Sequence, residues 1–243
     1  MILDPTQVAA IRSRAAEVND RIAAAARSVG RDPSSITLVA VTKTHPLETV
    51  VAAAAAGLTE FGENYAQEAA SKIVEFGTEK AVRWHFIGNL QSNKASLVTG
   101  NCALIHTIDR PKIASVISKL AVERGVVQDV LVQARLGDEP TKSGADLADV
   151  PALCDFVASQ PGLRLRGLMG IAPLTESHGN IFEESRYFDN LKKVFDCIIV
   201  EYCDILSMGM SGDYEKAIAS GSTLVRIGSA LFGARDYSDK QAG

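Results

Sequence analysis

A chain of 243 residues, 47% of them hydrophobic and 22% charged, carries enough apolar material for a sizeable core and too much to stay disordered. Its net charge of −4 comes from interspersed acids and bases, and no basic run carries interleaved aromatics, which argues against nucleic acid as a partner. No basic leader followed by an apolar run opens the sequence, and no stretch of about 18 apolar residues follows, so a soluble cytoplasmic protein with no membrane segment is expected.

Residues 5–28 predict a helix, with Asp4 as its N-cap, Pro5 at its first position and Gly30 just beyond its end. From there, short β-branched runs alternate with longer helical patterns. Strands are predicted over 36–41, 60–62, 84–86, 104–107, 127–133, 164–168, 205–207 and 224–227. Helices are predicted over 46–56, 65–76, 110–124, 146–159, 181–200 and 211–219. This alternation predicts a parallel sheet, and eight strands suit closure. The expected fold is α/β, a single (β/α)8 TIM barrel domain over residues 1–243. The extra N-terminal helix, 4–30, packs on the barrel, and 234–243 form a C-terminal tail; about 250 residues is ordinary for one such barrel. The apolar stretch 195–204 leaves the start of the seventh strand open.

The four cysteines, Cys102, Cys154, Cys197 and Cys203, lack CxxC spacing and read as reduced core residues. Four scattered histidines give no ligand spacing, so no metal is expected.

Barrel active sites lie at the C-terminal ends of the strands, so polar residues just after apolar runs are the candidates. Lys43 follows the first strand, where partial desolvation would lower its pKa and let it condense with an aldehyde to an imine. Position alone favours an ordinary surface lysine. The last two βα units supply a second signal: the loops after strands seven and eight of such barrels frequently hold phosphate. Ser211 falls at a predicted helix start, and Gly228 and Ser229 follow the eighth strand. Each has a bland reading as an N-cap or a turn, but together in those two loops they point to phosphate binding. Arg226 ends an apolar strand and needs an acceptor, either an internal carboxylate or a pyridine nitrogen. A permanently charged guanidinium would keep such a nitrogen unprotonated and weaken it as an electron sink. Asn64, His85 and Asn89 can present polar groups to a ring, although His85 is at least as well explained as a hydrogen-bonded barrel residue.

Seven ordered segments carry a family likeness. They are Val39-Ala-Val-Thr-Lys43, Phe61-Gly-Glu-Asn-Tyr65, Trp84-His-Phe-Ile-Gly88 with Leu90-Gln-Ser-Asn-Lys94, Thr141-Lys-Ser-Gly144, Gly167-Leu-Met-Gly170, Ser207-Met-Gly-Met-Ser211, and Val225-Arg-Ile-Gly228 with Phe232-Gly-Ala-Arg235. Over most of its length the chain resembles the YggS/PROSC family of pyridoxal 5′-phosphate (PLP) homeostasis proteins, whose barrel is similar to the N-terminal domain of alanine racemase. The resemblance implies PLP as a Schiff base on Lys43, its ring nitrogen facing Arg226 and its phosphate held around Ser211, Gly228 and Ser229. It also implies Asn64, His85 and Met169 near the cofactor.

Two functions follow from different classes. One is a PLP carrier in vitamin B6 homeostasis, acting on PLP-dependent apo-enzymes and indirectly on amino-acid metabolism; the other is a PLP-dependent racemase or related enzyme acting on free amino acids. Racemisation needs an acid/base on each face of the substrate carbon. No tyrosine here falls in a segment resembling the racemase tyrosine motif, which favours the carrier without efficient catalysis. The expected state is a monomer. A lysine-imine aldolase ranks last, having no special use for Arg226.

Overall fold

The computed structural model describes residues 3–77, 82–137, 143–173, 181–198 and 200–233. The expected tail over 234–243 lies outside the described residues, as do Thr141, Lys142 and Arg235 of the family motifs. Helix α1 (Pro5–Ser28) opens the fold as the sequence predicts. The Asp4 side chain accepts the Thr6 N–H at 2.8 Å, and the chain leaves the helix through Gly30 at φ 73°. Its buried residues Ile11, Ala15, Val18, Ile22 and Ala26 recur every three or four positions and so form one stripe.

The barrel strands are β1 (Thr37–Val41), β2 (Glu60–Glu63), β3 (Arg83–Phe86), β4 (Leu104–Ile108), β5 (Gln128–Arg135), β7 (Leu163–Ile171), β8 (Ile205–Met210) and β9 (Leu224–Ile227), with a two-residue strand β6 (Ala145–Asp146) beside the end of β5. The eight pair in parallel and in chain order, β9 returning to β1 and β4 meeting β5, which closes the ring as a TIM barrel. Helices α2 (Leu47–Ala55), α3 (Ala66–Phe76), α4 (Ala95–Val98), α5 (Pro111–Glu123), α6 (Val150–Ala158), α7 (Ile181–Asp196), α8 (Tyr214–Ala219) and α9 (Ser229–Phe232) lie in the connections. Helix α1 packs on α2, α8 and α9, and Arg21 pairs with Glu215 of α8 at 2.9 Å.

Both faces of these strands are covered, which is why β4 and β9 read as unbroken runs rather than alternating ones. One face meets the helices in the main core; the other fills the barrel interior with Val39, Leu104, Leu131, Met169 and Leu224. Cys102 and Cys154 are buried, but Cys197 is exposed and Cys203 half-buried, so the core expectation holds for two of the four. Among the described residues no helix is long and apolar enough to cross a membrane, and no cluster has metal-ligand character.

Three strands run two or three residues further than their sequence pattern. β5, β7 and β8 extend to Arg135, Ile171 and Met210 because glycines and polar residues end the apolar pattern without ending the ladder: Gly170 still pairs with Ala134, and Met210 with Arg226. Gly167 sits at φ 142° where β7 passes β8, and a Cβ there would lie 1.9 Å from the Ile205 carbonyl oxygen. Helix α7 ends at Asp196, short of the predicted 200. Helix α8 begins at Tyr214, not 211, because Asp213 ties the preceding turn: its Oδ1 accepts the Met210 N–H at 2.6 Å and its own N–H donates to the Met210 carbonyl at 3.1 Å.

Candidate functional site

β1 ends at Val41, and Lys43 stands two residues on, half-buried, in a turn closed by the His45 N–H to the Thr42 carbonyl at 3.1 Å. Thr44 follows at φ 67°, a left-handed conformation that costs a β-branched residue on the order of 1 kcal/mol or more. A buried polar cluster holds that turn. The Thr42 hydroxyl donates to Glu63 Oε1 at 2.6 Å, and the Thr44 N–H donates to Glu68 Oε1 at 2.6 Å. Lys72 Nζ donates to both these carboxylates, at 2.8 and 2.7 Å, and to the Thr42 carbonyl at 2.8 Å. Burial pushes the Glu63 carboxyl above its ordinary pKa, opposed by the Lys72 charge and hydrogen bond. Sequence reading missed this cluster; its one local signal was the Glu68 to Lys72 spacing of four on a helix.

At the C-terminal ends of the strands lies a cavity of about 570 Å³, within the range of roughly 300–1,000 Å³ usual for small-molecule sites. Lys43, Asn64, Ser211, Arg226, Gly228 and Ser229 all line it. Three expected members do not. Asn89 lines two neighbouring cavities instead. The other two lie deeper. His85 sits lower in the barrel, between Glu60 and His106, and Met169 packs with Val39 and Leu131 in the interior. The reason is the same for both: side chains on one face of a strand recur every second residue, and the next inward positions, Ile87 and Ile171, are the ones that reach the cavity.

Arg226 on β9 is only 4% exposed. Its Nη1 donates to Ser207 Oγ at 2.6 Å and its Nη2 to the Gly170 carbonyl at 3.0 Å. Both partners are neutral oxygens, so neither is the internal carboxylate that the sequence left open. Burial pulls its pKa down to about 10, with the Asp213 charge opposing, and the guanidinium stays cationic at neutral pH. On the same rim, Ser211 Oγ accepts the Gly228 N–H at 3.2 Å and the Ala230 N–H at 3.5 Å. Ser211 is therefore a turn residue facing the β9–α9 connection, not the first residue of a helix.

Several details fit a ligand with an aldehyde, an aromatic nitrogen and a phosphate. Backbone N–H groups converge on one oxygen at Ser211, where an anion's oxygen can be received in the same way. Gly228 has an ordinary φ of −116°, and a Cβ there would meet only Val41 at 3.5 Å; a Cβ at Gly212 would meet nothing within 4 Å. The protein backbone thus does not require either glycine, and their bareness keeps the cavity wall open. Asn64 Oδ1 is buried without a hydrogen-bond partner among the described residues, leaving an acceptor for a ligand to satisfy. Gly88 lets the β3 loop close on this residue, since a Cβ there would lie 1.9 Å from the Asn64 carbonyl oxygen.

Known proteins resemble this chain in sequence and fold. The chain is 46% identical over 231 residues to the pyridoxal phosphate homeostasis protein of Escherichia coli K12, an alignment covering 93% of this chain and 97% of that one. The solved structure of PipY from Synechococcus elongatus, with PLP bound, superposes with a TM-score of 0.78 at 33% identity, covering 92% of this chain and all of that one. Alanine racemase from Streptomyces coelicolor shares the fold at 19% identity, with a TM-score of 0.69 over 94% of this chain and 59% of its own. Residues 15–236 match the family model described as alanine racemase, N-terminal domain. The chain belongs to that family, in common with the pyridoxal phosphate homeostasis proteins.

Proposed function

We propose that this protein, as a single barrel domain, binds PLP as a Schiff base on Lys43 and acts in intracellular PLP homeostasis rather than as an efficient catalyst. The observation that carries this reading is the meeting of Lys43, Arg226 and Ser211, at the ends of the neighbouring strands β1, β9 and β8, on one cavity. The relatives' naming as PLP homeostasis proteins and the PLP-bound PipY support the same choice of ligand.

In this reading Lys43 would supply the amine, its nitrogen bonding the aldehyde carbon while the aldehyde oxygen leaves as water. Ser211, with the N–H groups around Gly228 and Ser229, would receive the phosphate, Arg226 would donate to the ring nitrogen, and Asn64 lies along the cavity wall. When bound, PLP would supply an electrophilic aldehyde and an electron sink, which Arg226 would weaken by keeping the nitrogen without a proton. Among the described residues lining the cavity there is no tyrosine, histidine or cysteine to act as an acid/base opposite Lys43. That favours storage and handover over racemisation. Recipients are PLP-dependent apo-enzymes in the cytoplasm, free amino acids are secondary ligands, and the working state is a monomer.

Borohydride reduction of the PLP-loaded protein followed by peptide mapping tests the linkage. The adduct is expected on the peptide carrying Lys43; its location only on other lysines overturns the assignment. For the function, an apo-enzyme should be reactivated by the loaded protein. Racemisation of free amino acids at ordinary enzymatic rates, on the order of 1 to 10³ per second, would overturn the carrier reading.

A further inference from the structure

Arg226 is the upper end of a hydrogen-bonded chain that crosses the barrel interior. Below it, Ser207 Oγ lies 3.0 Å from His106 Nδ1, His106 Nε2 lies 2.9 Å from His85 Nδ1, and His85 Nε2 lies 2.6 Å from Glu60 Oε2. Arg226, Ser207, His106 and His85 are each no more than 4% exposed, whereas the Glu60 side chain is 15% exposed at the opposite, N-terminal mouth. Nothing in the cofactor reading uses the lower four residues.

The carboxylate end, with one hydrogen on each ring, dictates the direction of the links. A carboxylate only accepts, so His85 carries its hydrogen on Nε2 and donates to Glu60. His85 Nδ1 then accepts from His106 Nε2, which leaves His106 Nδ1 to accept the Ser207 hydroxyl hydrogen. A guanidinium only donates, so the Ser207 oxygen accepts from Arg226. Five groups are satisfied by one arrangement, and burial, which holds His106 well below its ordinary pKa, agrees with a neutral ring there.

One added proton reverses the upper half. With both nitrogens of His85 protonated, His106 must accept at Nε2 and carry its hydrogen on Nδ1. Ser207 oxygen then receives hydrogens from both His106 and Arg226, and its hydroxyl hydrogen loses its acceptor. We infer that Ser207, His106 and His85 are positioning residues for Arg226, and that the chain transmits the proton state of the Glu60–His85 mouth to the guanidinium at the cofactor mouth. This rests on the proposed role of Arg226 at the ring nitrogen. The charges around the lower end are Arg83 on β3, 3.4 Å from Glu60 Oε1, and Arg166 on β7, which is held by Asp129 of β5 and by Asp204. From above, Arg226 is the cation facing His106.

Histidine ring nitrogen NMR on the protein without PLP tests the chain by itself, and four histidines make assignment by substitution practicable. At neutral pH both His85 and His106 should carry hydrogen on Nε2, with His106 moving to Nδ1 on acidification. A His106 already protonated on Nδ1 at neutral pH, or unchanged on acidification, overturns the inference. The second arm reads the absorption band of bound PLP against pH. In the wild type the band should change together with the His106 transition. His106→Phe should abolish that change while keeping the band, and Glu60→Gln, a mouth substitution that keeps the shape but removes the charge at the lower end, should alter it. An unaltered profile in both variants overturns the transmission. A wild type lacking the imine band would refute the PLP reading, while the NMR arm would still decide the chain.

Discussion

The two mouths of the barrel hold similar residue types and use them in opposite ways. At the N-terminal mouth, around a cavity of about 200 Å³, the charges answer one another: Asp129 receives Arg164 and Arg166, Asp204 also receives Arg166, and Glu60 receives His85 and Arg83. At the C-terminal mouth the larger cavity is lined by a lysine, an arginine hydrogen-bonded to neutral oxygens, two serines and two loop glycines, with an asparagine acceptor that has no partner among the described residues. Charge satisfied within the protein marks structure, and polar groups gathered on an open cavity mark a ligand site. The Lys72 cluster stands between these cases: its charges pair internally and hold the turn that carries Lys43, while Glu63 Oε2 is buried without a hydrogen-bond partner among the described residues.

That intermediate position gives the largest expected effect. Lys72→Met strands Glu63 in the interior without its counter-charge and should cost about 3–5 kcal/mol in urea unfolding; a loss under about 1 kcal/mol would show that the cluster does not anchor the turn. Asp129→Ala at the opposite mouth removes the acceptor of two arginines and should cost about 2 kcal/mol. PLP affinity, measured by titration, should stay as in the wild type, and a parallel loss of affinity would break the contrast between the mouths. Ser211→Ala should do the converse. Thermal stability should hold, while the PLP dissociation constant should rise about tenfold through one lost hydrogen bond to a charged group. An unchanged constant would remove Ser211 from the phosphate site.

The first strand and the last two βα units were legible because barrel sites follow a simple rule of position, so Lys43, Ser211, Arg226, Gly228 and Ser229 could be picked out as residues just past apolar runs. His85 was drawn to the cavity by the same rule and Met169 by the family resemblance, and neither source carries the register. At the ends of β3 and β7 the inward residue nearest the mouth lies two positions further on, at Ile87 and Ile171. The rim at Ser211 was also misread in detail: Asp213 holds residues 210–213 as a turn, which gives Ser211 to the N–H groups after β9 instead of to α8.

By itself the sequence determined the helix α1, the alternation that closes eight strands into a barrel, the family, and the candidates at the ends of β1, β8 and β9. Those features rest on local pattern, capping and connection order, which act over a few residues at a time. Only the tertiary structure decided which inward layer meets the cavity, that Lys72 with Glu63 of β2 and Glu68 of α3 fixes the Lys43 turn, and that Glu60, His85, His106, Ser207 and Arg226 form one continuous chain. The longest single link of that chain, His106 to Ser207, joins residues 101 positions apart and depends on strand register around a closed ring, which no local pattern encodes.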